Sequence, residues 1–173
     1  MSLQVGQKAP VFKMQGIFKG EIRDIHLEDY AGKYVVLFFY PGDFTFVCPT
    51  EVKEFSERAD DFAEQDAQVL GVSVDSVYAH KAWIKELGEL RYPLLSDITK
   101  EVGRSYGILI EEKGITLRGA YIIDPEGVLR YQVVHDLNIG RSVDEILRVL
   151  KALQTGEMCP VEWRPGKSTL GKA

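Results

Sequence analysis

Cysteine is scarce in this chain, which has only Cys48 and Cys159 among its 173 residues. The residue three positions after Cys48 is Glu51, so the first cysteine has no C-x-x-C partner with which to exchange a disulfide. The two cysteines and three histidines show no metal-ligand spacing such as C-x-x-C or H-x-x-x-H. These absences exclude a dithiol exchanger and a zinc site, and we expect neither a metal nor another cofactor.

A strong excess of either charge is also missing, because 21 lysines and arginines oppose 26 aspartates and glutamates, giving a modest net charge of -5. A chain of this balance has no general affinity for nucleic acid or for an anionic membrane. No apolar run approaches the roughly 20 residues needed to cross a bilayer, and the first residues do not read as a targeting signal. We therefore expect a cytoplasmic protein, in a compartment where cysteines are more often catalytic or redox-sensing than permanently paired.

The chain also lacks a linker, a low-complexity tract and an internal repeat, so we expect residues 1–173 to form one domain, with a tail over residues 156–173. The first 34 residues indicate a small antiparallel hairpin region with turns near Gly16 and Gly20. Hydrophobic periods then predict strands at 35–40, 68–74, 117–123 and 128–135, and helices at 49–66, 77–87, 99–105 and 142–154. This order predicts an α/β fold with a central sheet of the thioredoxin-like kind.

The most informative segment is P-G-D-F-T-F-V-C, from Pro41 to Cys48. It joins the predicted strand 35–40 to a predicted helix, so Cys48 lies where that helix starts. Unpaired backbone N–H groups and the positive end of the helix dipole favour a thiolate there. A buried, inert thiol is the alternative interpretation. The nearby hydroxyl of Thr45 and the helix-starting Pro49 favour a reactive nucleophile instead.

The longer segment F-F-Y-P-G-D-F-T-F-V-C-P-T-E resembles the active-site motif of the peroxiredoxins, specifically of the typical two-cysteine group that includes the bacterial alkyl hydroperoxide reductase peroxidase subunit. Four further segments resemble the same group in the same order: H-K-A-W, Y-P-L-L-S-D, R-G-A-Y-I-I-D-P and G-E-M-C-P. The resemblance implies a thioredoxin-like fold with an N-terminal hairpin extension and a C-terminal tail. It also implies a thiol-dependent peroxidase that reduces hydrogen peroxide and organic hydroperoxides.

By this resemblance Cys48 is the peroxidatic nucleophile, which a hydroperoxide oxidises to a sulfenic acid. Thr45 bonds the peroxide through its hydroxyl, and Pro41 shields the pocket from water. Arg118 stabilises the thiolate and the leaving oxygen, whereas its position at a strand end would by itself suggest a surface residue. We expect the strand that leads from Arg118 to run parallel to its neighbour, which ends at Tyr40.

Glu51 and Arg141 match family positions that orient Arg118. Without the resemblance, Glu51 would be interpreted as a helix-dipole partner in a first turn, and Arg141 as a solvated loop residue. His80 is expected at a helix surface or an interface rather than as a base.

The resemblance implies that Cys159 is the resolving cysteine, supplied by the tail of the partner subunit to form a disulfide with Cys48. A free tail thiol or a fixed intrachain disulfide is the alternative. Thioredoxin or a flavoprotein disulfide reductase would then reduce the disulfide. The strand from Leu129 to His135 is expected to pair with its own copy in a homodimer, and five dimers to close a decameric ring. The residues expected near the contacts between dimers are Phe44, Phe46 and Tyr78.

A ring-forming holdase chaperone or a peroxide-signal relay is the alternative function, and Cys48→Ser would separate the two classes because only a holdase should survive that change. Peroxiredoxins that are easily over-oxidised carry a G-G-L-G loop and a C-terminal extension with a Tyr-Phe pair. This chain reads G-E-L-R-Y-P from Gly88 to Pro93 and shows no such pair. We therefore expect its Cys48 to resist over-oxidation.

Overall fold

The computed structural model describes residues 2–173, which build one seven-stranded mixed sheet and a separate two-stranded ribbon. The strands are β1 (Lys13–Phe18), β2 (Glu21–His26), β3 (Tyr34–Phe39), β4 (Ala67–Ser73), β5 (Leu94–Ser96), β6 (Leu109–Ile110), β7 (Ile115–Thr116), β8 (Arg118–Ile123) and β9 (Leu129–His135). The helices are α1 (Cys48–Glu57), α2 (Ala59–Glu64), α3 (Val77–Leu87), α4 (Glu101–Ser105) and α5 (Val143–Gln154), with a 3-10 turn at Leu27–Tyr30. The predicted α/β class is confirmed.

The strand order in the large sheet is β2-β1-β5-β4-β3-β8-β9, and β6 pairs only with β7. Strands β3, β4 and β5 run parallel because a helical crossover joins each to the next. All other neighbours in the sheet pair antiparallel. The carboxyl ends of the three parallel strands therefore meet at one edge, where loops from β3, β4 and β5 can contact one another.

The prediction that β8 runs parallel to β3 is wrong, because the two strands pair antiparallel. The register pairs Phe38 with Ala120, which brings Arg118, the first residue of β8, level with the end of β3. In a parallel pair the start of β8 would lie beside the start of β3 instead. The antiparallel arrangement is what delivers Arg118 to the segment that follows β3.

Three further corrections concern local structure. Gly16 lies inside β1 rather than at a turn, and a Cβ there would come within 2.6 Å of Ile25 Cδ1, so the Ile25 side chain would have to shift to admit one. The predicted helix 49–66 is divided at Arg58, whose backbone angles leave the helical region. Strand β5 and the ribbon of β6 and β7 were not predicted, since three-residue and two-residue strands are too short to show a period.

Strand β3 is buried on both faces, as expected for a central strand covered by helices. One face carries Val36 and Phe38, which belong to a core built with α1, α3 and α5. The other face carries Leu37 and Phe39, which pack with the N-terminal segment and α4. The ring of Phe38 stacks on that of Phe55 in α1, with centroids 4.2 Å apart. This contact fixes α1, and with it the helix start at Cys48, against the sheet.

The segment after α5 folds back on that helix. Trp163 is buried, its Nε1 donates to the Lys167 carbonyl at 3.0 Å, and Arg148 of α5 donates to the Trp163 carbonyl at 2.9 Å. Backbone hydrogen bonds also join Met158 to Leu170 and Gly171. Among residues 2–173, no helix combines the length and apolar character needed to cross a bilayer.

Candidate active site

Cys48 is the first residue of α1, as the sequence predicted, and its side chain is completely buried at 0% exposure. Nη1 of Arg118 donates a hydrogen bond to its Sγ at 3.2 Å. The guanidinium is always protonated, so a thiolate gains a full positive charge as a neighbour in addition to the helix N-terminus. The sulfur therefore lies in direct contact with a cationic side chain at the start of a helix.

The Arg118 guanidinium is fixed by three partners. Nη1 also donates to Oε1 of Glu51 at 2.6 Å, and Nε donates to the Leu137 carbonyl at 2.7 Å. Within residues 2–173 no acceptor engages Nη2, and no side-chain nitrogen is both buried and unpaired. Nη2 is therefore left accessible, and it can donate to a molecule that enters beside Arg118.

Glu51 is a buried carboxylate held between two arginines. Oε2 accepts from Arg141 Nε at 2.6 Å and from the Arg141 backbone N–H at 2.8 Å, while Oε1 accepts from Arg118. Burial alone would raise the pKa of Glu51, but the hydrogen bonds and charge of Arg141, with the charge of Arg118, outweigh it and lower that pKa. Arg141 also donates to the carbonyls of Phe39 and Gly119, which ties the ends of β3 and β8 together.

The charges of this cluster balance only when Cys48 is ionised. Arg118 and Arg141 contribute two positive charges, and the Glu51 carboxylate contributes one negative charge. An unbalanced buried charge is costly. With a Cys48 thiolate, the formal charges of the four side chains would sum to zero. The interpretation of Arg141 as a solvated loop residue is excluded, because its side chain is only 1% exposed.

Pro41, Thr45 and Arg118 line one cleft of about 200 Å³, together with the apolar side chains of Ile115 and Leu137. The Thr45 hydroxyl donates to the Gly42 carbonyl at 2.9 Å, and its oxygen lone pairs remain able to accept a hydrogen bond from a ligand. Arg118 connects this cleft to the buried sulfur of Cys48. The structure thus brings the four residues together at the end of β3.

Cys159 lies at the other end of the same strands. It is partly buried, with Sγ 3.6 Å from Thr155 Oγ1, and lines a groove with Tyr34 at the start of β3 and Asp124 just after β8. The length of β3 separates these two regions by about 17 Å. A disulfide needs Cα atoms within about 7 Å. Both cysteines are free, and the fold does not bring them together within one chain.

The AhpC/TSA family model matches residues 5–132. This chain belongs to the AhpC/TSA family. Peroxiredoxin-2 of Mus musculus is 52% identical over 96% of this chain and 89% of its own length, and the mitochondrial thioredoxin-dependent peroxide reductase of Drosophila melanogaster is 49% identical over 96% and 76%. The reduced 2-Cys peroxiredoxin of Plasmodium vivax superposes with a TM-score of 0.92 at 41% identity, covering 95% of this chain and 91% of that one. The protein is a peroxiredoxin, a thiol-dependent peroxidase with a thioredoxin-like fold.

The peroxiredoxin has a second buried polar cluster that sequence reasoning missed. The expectation that His80 lies at a surface is wrong, because its side chain is fully buried between Asp43 and the Leu95 carbonyl. Nδ1 lies 2.7 Å from Asp43 Oδ2, and Nε2 must carry a proton, since the carbonyl 2.8 Å away can only accept. Tyr40 donates its hydroxyl to Asp43 Oδ1 at 2.7 Å. Burial and then the Asp43 carboxylate raise the pKa of Tyr40, which keeps this donor protonated.

Two aromatic side chains of the loop before Cys48 and one at the start of α3 are exposed. Phe46 is 97% exposed, Phe44 and Tyr78 are also largely open to solvent, and the ring of Phe44 lies 6.2 Å from that of Trp83. Their expected place between dimers stays a prediction. An apolar surface beside the cleft of Pro41, Thr45 and Arg118 is nevertheless one that a partner could cover.

Proposed function

We propose that this peroxiredoxin reduces hydroperoxides through Cys48, with Cys159 of a partner subunit as the resolving cysteine. The observation that carries the proposal is the hydrogen bond from Arg118 to the buried Sγ of Cys48 at the start of α1. An inert core cysteine would need neither a helix N-terminus nor a guanidinium in contact with its sulfur.

In the first step the Cys48 thiolate attacks one oxygen of the hydroperoxide. An S–O bond forms, the O–O bond breaks, and the other oxygen leaves with the electron pair and takes a proton from solvent to become water or an alcohol. Nη2 of Arg118 faces the accessible side and stabilises the charge that develops on that oxygen. Arg118 does not supply the proton, because a guanidinium is not deprotonated in proteins.

Thr45 and Pro41 complete the proposed peroxide site. The Thr45 hydroxyl accepts a hydrogen bond from the peroxide while it donates its own proton to the Gly42 carbonyl. Pro41 borders the cleft with a ring that has no N–H, so it limits the access of water without competing for the thiolate. Glu51 and Arg141 act through Arg118, which they hold in place against Cys48.

In the second step the Cys48 sulfenic acid condenses with the Cys159 thiol, giving a disulfide and one water. The positions of the two thiols at opposite ends of β3 support a disulfide between subunits over one within the chain. Because Cys48 is fully buried, its loop must open before the sulfurs can meet.

Assembly and electron supply belong to the same proposal. Strand β9 ends the sheet order, so one edge of Leu129–His135 has no neighbour in the described chain and can pair with its own copy in a homodimer. Five such dimers would form the ring.

The name of the Drosophila relative supports thioredoxin as electron donor, with a flavoprotein disulfide reductase as the alternative. A cytoplasmic location and one domain with a tail over 156–173 are part of the same proposal, and the packing of Trp163 against α5 supports the single domain.

A subunit-mixing experiment tests this proposal. Reduced protein treated with one equivalent of hydrogen peroxide should run as a disulfide-linked dimer on a non-reducing gel, and Cys48→Ser and Cys159→Ser should each remain monomeric. A mixture of the two variants, exchanged before oxidation, should regain the linked dimer, because one subunit supplies each thiol. An oxidised wild-type monomer containing an internal disulfide would refute the pairing between subunits.

A further inference from the structure

The loop from Pro41 to Val47 has two opposing tasks in the function proposed above. It must stay folded while Cys48 reacts with peroxide, and it must open for Cys48 to reach Cys159. Phe44, in the middle of the loop, has a φ of 57°, a left-handed conformation that is unfavourable for an aromatic residue. Contacts elsewhere in the structure must therefore hold the loop in its folded form.

Asp75, in the loop that follows β4, makes such a contact. Its Oδ2 accepts the backbone N–H of Asp43 at 2.9 Å, directly before the left-handed Phe44. From residue 42 to residue 47, this is the only backbone N–H with a hydrogen bond inside the described part of the chain. Asp75 thus holds the only bonded backbone N–H of residues 42–47, while the Asp43 side chain is held separately by Tyr40 and His80.

The Asp75 anchor is itself held in place. The hydroxyl of Ser73 donates to Asp75 Oδ2 at 2.6 Å, and the hydroxyl of Ser96 donates to the Asp75 carbonyl at 2.6 Å. These residues belong to the ends of β4 and β5, which are rigid parts of the sheet. Asp75 therefore ties the loop from Pro41 to Val47 to the ends of β4 and β5.

We propose that Asp75 is a positioning residue whose hydrogen bond to the Asp43 backbone sets how readily the Cys48 loop opens, and so divides the Cys48 sulfenic acid between two fates. In the open loop the acid condenses with a Cys159 thiol and releases water. In the closed loop it takes one oxygen from a second hydroperoxide, forming a sulfinic acid and releasing water or an alcohol. A stronger anchor favours the second fate, and a weaker anchor favours the first.

Replacing the anchor should shift this division in a graded way. Asp75→Ala removes the acceptor, and the loss of one charge-assisted hydrogen bond corresponds to roughly a tenfold change in the opening equilibrium. We expect disulfide formation to accelerate by about that factor, and the peroxide concentration that over-oxidises half of Cys48 to rise similarly. Asp75→Asn keeps an oxygen acceptor without the charge and should lie between Ala and wild type. The reaction of Cys48 with the first hydroperoxide should slow, because the loop spends less time in the closed form that positions Thr45 and Cys48.

The experiment follows the reduced enzyme during turnover in rising hydrogen peroxide, with intact mass reporting the species heavier by two oxygens and rapid quenching reporting disulfide formation. Hydrogen exchange of the 41–52 segment reports loop opening without any chemistry. Asp29→Ala is the matched control, since its carboxylate also accepts one backbone N–H, from His26 at 2.9 Å, in the 3-10 turn before β3. This control should behave as wild type.

Unchanged exchange of the 41–52 segment in Asp75→Ala, or unchanged sensitivity to over-oxidation, would overturn the inference. Faster exchange throughout the chain would show that Asp75→Ala destabilises the whole fold. Asp75→Asn then becomes the test, and wild-type loop exchange and over-oxidation in that variant would refute the role of Asp75. Failure of the two-cysteine function is distinguishable, because the wild type would then form no disulfide at all.

Discussion

Replacing Glu51 with Gln should separate the two tasks of the Cys48 environment, which are to ionise the thiol and to aim Arg118. The substitution keeps the shape of the side chain but removes the negative charge between two buried guanidiniums. It also turns one acceptor oxygen into an NH2 donor, which must face an N–H of Arg118 or Arg141. One of the two arginines therefore loses its fixed position.

The cost in stability can be worked from the burial of the pair. Glu51 and both arginine side chains are at most 3% exposed, so breaking their contacts should lower the free energy of unfolding by about 3–5 kcal/mol at neutral pH. The folded pKa of Glu51 is lowered, so its ionisation stabilises the fold above the ordinary value of about 4.3 and this gain is lost as the pH falls through the folded pKa. The difference between variant and wild type should accordingly shrink below about pH 4.

Glu51→Gln should affect two reactions of Cys48 differently, its alkylation and its reaction with hydrogen peroxide. Both guanidiniums stay near the sulfur even when their aim is lost, and the neutral side chain at position 51 no longer offsets their charge, so alkylation by iodoacetamide at neutral pH should be as fast as in wild type or faster. Reduction of hydrogen peroxide should fall by about tenfold or more, because Arg118 no longer meets the leaving oxygen correctly.

Stopped-flow measurement of the peroxide reaction, alkylation rates and urea unfolding at two pH values would test these expectations. Glu54→Gln is the control, because Glu54 lies on the same helix with its charge exposed and only a 3.9 Å contact to Arg58. Equal losses in alkylation and peroxide reduction would refute the separation. A stability difference that grows at acidic pH would refute the assigned charge of Glu51.

Three further predictions follow from other contacts. Arg118→Met should slow peroxide reduction by about a hundredfold or more, and a stopped-flow rate close to wild type would remove Arg118 from the mechanism. His80→Leu leaves the Asp43 carboxylate with Tyr40 as its only buried side-chain partner and should lower the free energy of unfolding in urea by about 3 kcal/mol, whereas Lys81→Ala on the same helix should change it little. Val134→Asp places like charges on the exposed β9 edge and should convert the dimer to monomer in sedimentation, and an unchanged mass would refute pairing through β9.

Local features of the site were predictable from the sequence because they depend on neighbours in the chain. The apolar run before Pro41 and the helical period after Cys48 were enough to place the thiol at a helix start. The division of that helix at Arg58 was not visible, since apolar spacing continues across the break.

Long-range features were not predictable in the same way. The direction of β8 depends on the whole path between β5 and β8, which no period reports, and the parallel assignment was wrong for that reason. The burial of His80 depends on Asp43, which lies 37 positions earlier. A polar residue in a predicted helix is assigned to the surface unless a buried partner is known. Asp43, the acidic residue inside P-G-D-F-T, was a candidate partner for His80.

The placement of Cys48 and Cys159 at opposite ends of β3 has a consequence for how activity scales with enzyme. If the disulfide joins subunits as proposed, an isolated subunit can be oxidised once but cannot complete the cycle. Specific activity should then decline on dilution below the dissociation constant of the dimer. A dimer with one subunit lacking both thiols should be inactive, since each catalytic unit takes one cysteine from each chain. The smallest working enzyme is thus a pair of subunits, with two catalytic units that each span the boundary between them.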